Sequence, residues 1–400
     1  MLHFLTRTNK TAEVDIEANP FRPGFGQTPA ILAGRGAVVD DFERALATAG
    51  SRARNVLISG ARGTGKTVLL TEFESIAADN GWTTMILHTG ASSLTEELRE
   101  SIVDRLRAND PDAETSRLVG GGASGFTASR EVVDHYAGER RPLGALLDRL
   151  AALCRDAGGG LLLMLDEIQS VDPEQLHEIT QHVQDLVRHG LPIGFVAAGV
   201  RTGVDDLLDH DKTTFLRRAH RVELGSVPVS AAIETIRQTV ADTTRSITPD
   251  AAVLAGDISR GYPYLIQLVG ARAWESSGDA DTIEREDVSR IRIEVIAEMI
   301  RNVHGPALRG LTRRKTDYLL AMVTDAGPSR VADIAERMGV TVKYQSVYRA
   351  RLIEDELVRP AGTGLVEFAL PYLREALLDR QSGGPLANAD DDVRRPRRRS

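Results

Sequence analysis

The hydrophobic pattern of residues 55–227 alternates between short apolar runs and longer amphipathic segments. Five runs read as strands: NVLIS (55–59), WTTMILHT (82–89), LLLMLDEIQ (161–169), LPIGFVAAGV (191–200) and RVELGSV (221–227). The segments between them carry apolar residues at helical spacing, as in the stretch with Leu69, Leu70 and Phe73. Because parallel strands need helical crossovers, this order predicts an α/β fold with a parallel sheet and helices on both of its faces.

The pattern changes after residue 228, where the strands stop. Four segments then read as helices and predict a small helical lid: SAAIETIRQTV, PDAAVLAGDIS, YPYLIQLVGARAWESS and EREDVSRIRIEVIAEMIRNV. Further along, three amphipathic segments precede RPAGTGLVEFALP, which reads as two short strands around a glycine turn. Three helices and a hairpin predict a C-terminal winged helix-turn-helix.

Other parts of the chain give a weaker pattern. NPFRPGFGQTPA is rich in Pro and Gly and predicts an ordered arm rather than a helix. LTEELRESIVDRLRA predicts a helix. The stretch that follows shows neither helical nor strand periodicity, and the GGGASG segment of that stretch predicts a mobile loop. The last twenty residues lack an apolar pattern and predict disorder.

The octet GARGTGKT fills the turn between the first strand and its helix. It matches the phosphate-loop pattern G-x-x-x-x-G-K-[ST] at Gly60, Gly65, Lys66 and Thr67. The glycines allow backbone N–H groups to point at phosphate oxygens, and the helix start adds the positive end of its dipole. Lys66 offers a cation for the last two phosphates, and the Thr67 hydroxyl offers a ligand for Mg²⁺. The predicted nucleotide-binding stretch is Gly60, Ala61, Arg62, Gly63, Thr64, Gly65, Lys66, Thr67 and Val68, and the alternative is a glycine turn with an incidental lysine.

Two adjacent acids follow the apolar part of the third run. Asp166 is predicted to hold the magnesium shell, and Glu167 is predicted to polarise the attacking water. A buried strand that ends in two carboxylates is costly unless a cation or water satisfies them. The alternative is an ordinary exit from a strand into a loop. Together with the phosphate loop, the pair predicts a Mg²⁺-dependent ATPase.

Composition restricts the classes of function. The net charge of −8 argues against general coating of nucleic acid but leaves room for one basic face. Cys154, the single cysteine, excludes an internal disulfide framework and fits both a reducing compartment and a small core position. No run approaches the ~20 apolar residues of a membrane span, and no targeting signal is visible, so we expect a cytoplasmic protein.

With both phosphate motifs in place, the chain resembles the AAA+ ATPases. The resemblance is to the initiator-type branch, with its origin-recognition and archaeal ATPase-like proteins, and to the neighbouring STAND signalling ATPases. Four stretches carry it over about residues 19–300: LAGRG, GARGTGKT, LLLMLDEIQ and GYPYLIQL. The opening NPFRPGFGQTPAILAGR also resembles that of bacterial ATP-binding proteins of uncharacterised role. The resemblance implies ATP and Mg²⁺ as cofactors.

Further binding residues are implied by this resemblance. In such families the segment before the first helix packs around adenine, here Ile31, Leu32, Gly34 and Arg35, and core packing is the alternative. In the lid, Tyr262 and Pro263 correspond to a Gly-x-Pro segment near the nucleotide. Their alternative role is to start a helix, since proline favours the first turn.

A sensor and an arginine finger are also implied. A polar sensor belongs at the end of the fourth strand, but Ala197, Ala198 and Gly199 fill that window. Arg201 is then the better candidate, and Thr202 is the second. Before the fifth strand, Arg217 or Arg218 could reach a neighbour's γ-phosphate in a homo-oligomer, or could belong to a solvated basic turn.

The third helix of the C-terminal region would present its outer face to the major groove of DNA. The residues predicted on that face are Lys343, Tyr344, Gln345, Ser346 and Arg349, and those predicted to point inward are Val347, Leu352, Leu357 and Val358. Residues 307–380 hold 12 basic against 10 acidic side chains, a weak excess for a domain that neutralises phosphates. Double-stranded DNA and a protein partner therefore both stay open as targets.

These observations predict an ATP-dependent switch that couples nucleotide binding and hydrolysis to a winged helix on DNA. The alternative is a STAND-like scaffold with little turnover whose winged helix docks protein. The predicted parts are a flexible N-terminus (1–18), an AAA+ nucleotide-binding domain (19–228), a helical lid (229–305), a winged helix (306–380) and a disordered tail (381–400).

Overall fold

The computed structural model describes residues 18–24, 27–89, 93–119, 129–134, 136, 141–209, 213 and 216–382. The predicted flexible N-terminus up to residue 17, the GGGASG loop and the tail beyond residue 382 lie outside these residues. The chain divides into two compact units. One consists of Arg35–Ala61 and Lys66–Leu224, and the other of Met1–Gly34, Arg62–Gly65 and Gly225–Ser400. The five-part domain division stays a prediction.

The first unit is an α/β structure. Its helices are α1 (Gly36–Ala47), α2 (Lys66–Asp79), α3 (Leu94–Asn109), α4 (Leu143–Asp156), α5 (Pro173–Arg188) and α6 (Arg201–Asp209). Its strands are β1 (Asn55–Gly60), β2 (Thr83–Leu87), β3 (Glu114–Val119), β4 (Ser129–Asp134), β5 (Leu161–Leu165), β6 (Ile193–Gly199) and β7 (His220–Leu224). Five strands form one parallel sheet in the order β2-β5-β6-β1-β7. The predicted parallel sheet with helices is confirmed.

The core of this unit lies on the faces of the sheet. Every residue of β5 and β6 is buried, which explains why their runs are continuously apolar rather than alternating. Helix α2 packs through Leu69 and Phe73, and the Phe73 ring stacks on Phe42 of α1 at 3.9 Å between centroids. Cys154 is buried on α4, and this burial raises the pKa of its thiol.

The hairpin of β3 and β4 is one of the elements that the sequence pattern did not predict. The two strands pair antiparallel, with Glu114 opposite Asp134 and Val119 opposite Ser129. ETSRLV and SREVVD hold few apolar residues, so no clear period marks them. Antiparallel pairing between backbone groups is sufficient to form such a hairpin.

The second unit is mainly helical. Its helices are α7 (Val229–Ala241), α8 (Pro249–Ser259), α9 (Pro263–Ser276), α10 (Arg285–Met299), α11 (Gly305–Leu308), α12 (Arg313–Val323), α13 (Val331–Arg337), α14 (Val342–Glu354) and α15 (Leu373–Gln381). Short strands are β8 (Ser246–Ile247), β9 (Thr282–Ile283), β10 (Ser329–Arg330), β11 (Val358–Pro360) and β12 (Leu365–Phe368). One hydrophobic core cluster runs from α7 through the C-terminal helices, so the four predicted lid helices and residues 306–380 share an interior.

The N-terminal arm packs on α9. The Phe21 side chain is buried and lies where a Cβ atom at Gly270 would overlap it, so α9 can carry only glycine there. Asn19 donates a hydrogen bond to the Ala271 carbonyl at 3.1 Å, and the Arg22 N–H donates to Gln267 at 3.0 Å. Residues 19–22 of the arm are therefore ordered and non-helical, as its Pro and Gly content predicts.

The C-terminal region contains α12, α13 and α14 followed by the predicted hairpin of β11 and β12. Strand β10 adds to that hairpin, and the antiparallel order is β10-β12-β11. Leu352, Leu357 and Val358 are buried as predicted, but Val347 is 49% exposed, so its inward assignment was wrong. At about 100° per residue, positions 347 and 352 lie about 140° apart and cannot share one helix face. Among the described helices, none is both long and apolar enough to cross a membrane.

Candidate functional site

The phosphate loop connects the end of β1 to the first residue of α2. Gly63 and Gly65 have φ angles of 74° and 91°, values in the left-handed region that favours glycine. The backbone therefore turns sharply between Gly60 and Lys66. This turn places the loop at the amino end of α2, where N–H groups of the first turn have no partner within the helix.

The side chain of Lys66 is folded onto the loop itself. Its ammonium is buried and donates to the carbonyl of Gly60 at 2.7 Å and to that of Ala61 at 3.2 Å. Both acceptors are carbonyl oxygens of the loop itself. These bonds hold the Lys66 side chain at the loop, where the motif predicts contact with phosphate oxygens.

The hydroxyl of Thr67 meets the acid at the end of β5. Thr67 Oγ1 donates to Asp166 Oδ2 at 2.7 Å, and the N–H of Glu167 donates to Asp166 Oδ1 at 2.8 Å. Strands β1 and β5 flank β6 in the sheet, and their carboxyl ends lie at the same edge because all three run parallel. An alcohol and a carboxylate are hard oxygen donors, which fit Mg²⁺.

Glu167 stands just past the strand in a left-handed backbone conformation, with φ of 51° and ψ of 44°. Its side chain is exposed, and its carboxylate accepts a hydrogen bond from the Gln169 amide. The other end of that amide, Oε1, accepts from the N–H of Val200 at 3.1 Å. The sequence analysis gave Gln169 no role. The only sequence signal was an amide side chain two residues after the acid pair. This signal does not indicate which groups the amide contacts.

The end of β6 carries no polar side chain in its last three residues. Ala197 and Ala198 are buried, and Arg201 begins α6 immediately beyond the strand. The Arg201 guanidinium forms an ion pair with Glu223 of β7 at 3.1 Å, and both side chains are more than half exposed. Thr202 is half-buried on the same turn. The sensor role of either residue stays a prediction.

The two finger candidates differ in their contacts. Arg217 Nε donates to the carbonyl of Leu208 at 2.6 Å, and its Nη2 donates to that of Asp209 at 3.3 Å. Arg217 therefore binds the last carbonyls of α6, as cations near helix C-termini do. Arg218 is exposed, and its backbone carbonyl accepts from Arg52. Of the two, Arg218 is the better candidate for reaching another molecule.

The segment predicted to contact adenine is partly buried. Ile31 and Leu32 are half-buried in the helical unit, while Arg35 directly precedes α1 in the α/β unit. Burial lowers the pKa of the Arg35 guanidinium from its usual value. Contact with adenine stays a prediction for all three residues and for Gly34.

Tyr262 contacts loop residues 62–65, which belong to its own unit. Its hydroxyl donates to the carbonyl of Arg62, and burial raises the pKa of this phenol. A Cβ atom at Gly63 would overlap the same hydroxyl. Pro263 opens α9, as its alternative role predicts. From the turn after α14, Glu356 accepts from the Arg62 N–H at 3.2 Å, a contact that sequence reasoning did not foresee.

The proposed DNA-reading face of α14 is only partly exposed. Lys343 and Tyr344 are exposed, Ser346 and Arg349 are half-buried, and Ser346 donates to the Lys343 carbonyl at 2.7 Å. Gln345 is completely buried, so its assignment to the outer face was wrong. Gln345 lies seven residues, about two helical turns, before the buried Leu352 and therefore points into the interior with it.

Comparison with known proteins gives two family matches. Residues 31–196 match the AAA ATPase domain, and residues 301–376 match a domain of unknown function, DUF8462. No curated protein matches the chain significantly.

Two solved structures share the fold over most of the chain. The ORC2 protein of Aeropyrum pernix, solved as ADPNP-ADP complexes, is 16% identical with a TM-score of 0.60, covering 92% of this chain and 98% of its own. The Walker-type ATPase paby2304 of Pyrococcus abyssi is 14% identical with a TM-score of 0.61, and the match covers 87% of this chain and 96% of the Pyrococcus chain. At these identities the likeness shows the fold. The domain match, the phosphate loop and the acid-tipped β5 agree with this fold, and residues 31–196 are similar to an AAA ATPase domain with an α/β P-loop fold.

Proposed function

We propose that this protein binds ATP with Mg²⁺ at the phosphate loop and hydrolyses it slowly as a molecular switch. The contact of Thr67 Oγ1 with Asp166 Oδ2 at 2.7 Å carries the proposal, because it joins two magnesium-type ligands from separate elements. ORC2 of Aeropyrum pernix, which shares the fold, was solved with ADPNP and ADP. That observation supports an adenine nucleotide as the ligand.

Each residue of the strand edge has a distinct task in this reaction. Loop N–H groups and Lys66 bind the phosphates, while Thr67 and Asp166 hold the metal. A Mg²⁺ ion held by Thr67 and Asp166 would supply positive charge to offset the negative charge of the phosphate oxygens. Glu167 orients a water molecule and accepts its proton as the water attacks the γ-phosphate. Arg201 and Arg218 are proposed to stabilise developing charge, Arg218 in a neighbouring copy.

The downstream partner is proposed to be double-stranded DNA, bound by residues 306–380 as a winged helix. Lys343, Tyr344 and Arg349 on α14 supply phosphate and base contacts. The hydrogen bonds of Tyr262 and Glu356 with Arg62 support coupling, because they join helical segments to phosphate-loop residues of the same unit. Nucleotide binding that changes the position of Arg62 would alter these bonds and so the helices that carry them.

Steady-state ATP hydrolysis with and without duplex DNA tests the proposal. We expect Glu167→Gln to bind ATP normally and to hydrolyse it about 100-fold more slowly or worse. Glu178→Gln is the matched control, because Glu178 is an exposed glutamate of α5 in the same unit. Hydrolysis that is unchanged in Glu167→Gln would refute the catalytic assignment. No stimulation by DNA and no shift of DNA at low salt would refute the DNA partner.

A specific observation favours a second candidate, a scaffold whose C-terminal region docks protein. Val342, Tyr344 and Val347 on α14 are 51%, 44% and 49% exposed. Exposed apolar side chains on one helix are more typical of a protein interface than of a phosphate-binding surface. This candidate predicts tight nucleotide binding, negligible turnover and no DNA shift.

A further inference from the structure

The amide of Gln169 forms a bridge between the Glu167 carboxylate and the backbone at the end of β6. Its Nε2 donates to Glu167 Oε2, and its Oε1 accepts from the Val200 N–H at 3.1 Å. The short helical turn Ile168–Ser170 brings this side chain back over the acid that precedes it. All three residues belong to the α/β unit.

The structure leaves a close-fitting space for this side chain. A Cβ atom at Gly199 would lie 2.5 Å from Gln169 Oε1 and 2.8 Å from the Ile168 side chain. A Cβ atom at Gly203, in the first turn of α6, would overlap Gln169 Cβ. These distances are shorter than those of real Cβ contacts, so a Cβ atom added at either position would force Gln169 or its neighbours to shift. Gln169 therefore packs closely against the backbone at the end of β6 and the start of α6.

A side-chain amide can donate a hydrogen bond to the Glu167 carboxylate and accept one from the Val200 N–H at the same time. A carboxylate needs a donor, and a backbone N–H needs an acceptor, so the amide has one allowed orientation. A glutamate at position 169 could accept from Val200 but would place a carboxylate against Glu167. A methionine would fill a similar volume and make neither hydrogen bond.

We propose that Gln169 is the positioning residue for Glu167, fixing its exposed carboxylate in the orientation that the attacking water requires. The inference rests on the proposed role of Glu167 as the base. The last three residues of β6, Ala197, Ala198 and Gly199, carry no polar side chain that could contact Glu167. Gln169 supplies a polar connection from that same strand end, through the N–H of Val200. An unrestrained glutamate would sample several rotamers, and misplacement by about 1 Å can reduce a rate about 100-fold.

The test compares turnover with nucleotide affinity in variants of the full chain. Gln169→Met and Gln169→Glu should each reduce kcat by about 10- to 100-fold, while the Kd of a fluorescent ATP analogue with Mg²⁺ changes less than about twofold. Gln175→Met is the matched control, because Gln175 also uses Oε1 to accept from a backbone N–H, that of Leu94 at 2.6 Å, without contacting Glu167. We expect this control to retain its kcat.

A double-variant cycle separates positioning from a general structural effect. If Gln169 acts through Glu167, adding Gln169→Met to Glu167→Gln should cause no further loss in single-turnover rate. The inference would be overturned if Gln169→Met reduced the single-turnover rate as much in the Glu167→Gln background as in the wild type. It would also be overturned if the Gln169 variants raised the Kd for the ATP analogue as much as they lowered kcat. Gln169→Glu preserves the shape of the side chain, so it keeps the test valid if Gln169→Met folds poorly.

The outcomes distinguish the inference from the proposed function. If Glu167→Gln abolishes turnover and both Gln169 variants retain the wild-type kcat, the inference is wrong and the proposed function stands. If the wild-type protein shows no turnover under any condition, the proposed function and the inference both fall.

Discussion

For the carboxyl edge of the parallel sheet and the outer face of α14, residue types predicted where side chains lie, and the structure agrees with the prediction at the first but not throughout the second. At the sheet edge, Thr67 and Asp166 are 99 residues apart in sequence and lie 2.7 Å apart in the structure. On α14, Gln345 is buried where exposure was expected, and Val347 is exposed where burial was expected. Strand ends converge because the sheet is parallel, whereas the rotation of a helix depends on what packs against it.

The two regions also differ in how their polar groups are satisfied. Asp166 and Glu167 accept hydrogen bonds from neighbours at the strand edge and stay accessible. In the helical region, Gln345 has no partner for either amide atom within the described part of the chain. His304 is likewise buried, with only Nε2 bonded, to the Pro371 carbonyl at 2.8 Å. The polar side chains at the sheet edge therefore stay accessible to a ligand, whereas Gln345 and His304 lie in the interior.

The largest expected effect concerns Lys66. Lys66→Ala should weaken ATP binding by about 100-fold or more, because it removes the cation held against the loop carbonyls. Isothermal titration calorimetry with Mg²⁺-ATP measures this change. Arg188→Ala removes an exposed cation of α5 in the same unit and should leave the affinity unchanged. Normal binding by Lys66→Ala would mean that the phosphate-loop assignment is wrong.

A smaller loss is expected at Gly63. Gly63→Ala should weaken ATP binding by about tenfold, because φ is 74° there and a Cβ atom would overlap the Tyr262 hydroxyl. Gly36→Ala is the control, since Gly36 opens α1 with nothing near the added Cβ atom. Equal affinities in the two variants would show that the loop conformation is not required. The same titration serves for both.

The next effect is a pH dependence of stability from His304, which lies in the helical turn Ile300–His304. Burial lowers the pKa of His304 from 6.5 to about 4, and the nearby Glu375 opposes this shift. The unfolded chain therefore binds more protons between these two values, and stability falls as the pH decreases through this window. From pH about 7.5 to about 5.5, the free energy of unfolding should fall by about 1 kcal/mol through His304.

Urea denaturation at the two pH values measures this dependence. His304→Gln should lose the part of the pH dependence that His304 contributes. An identical pH dependence in wild type and variant would contradict the assignment to His304.

The smallest effect concerns the two sides of α14. Gln345→Met should leave DNA affinity unchanged and raise the free energy of unfolding by up to about 1 kcal/mol, because it removes two unpaired buried polar atoms. Lys343→Ala should leave stability unchanged and weaken DNA binding by a few-fold, with a smaller salt dependence. Gel-shift titrations at two salt concentrations, together with urea denaturation, measure both. Weaker DNA binding by Gln345→Met alone would restore the original assignment of that face.

The sequence by itself determined the elements whose cause is local. Short continuous apolar runs favour buried strands, so β1, β5 and β6 were predictable, and the glycines of GARGTGKT allow the backbone turn that a phosphate loop needs. The acids after β5 and the helix starts at Pro173, Pro249 and Pro263 were likewise readable, because proline favours the first turn. The β3–β4 hairpin was not predictable, because its sequence has no clear apolar period.

The tertiary structure alone decided which distant groups meet. Nothing in the sequence pairs Gln169 with Val200, Arg62 with Glu356, or Arg217 with the end of α6, because each contact requires segments to be brought together by the packing of other elements. The rotation of α14 followed the same rule, since its inward side is set by the helices and strands that share its core. The sequence determines which chemical groups a segment carries, and tertiary packing determines which other groups they contact.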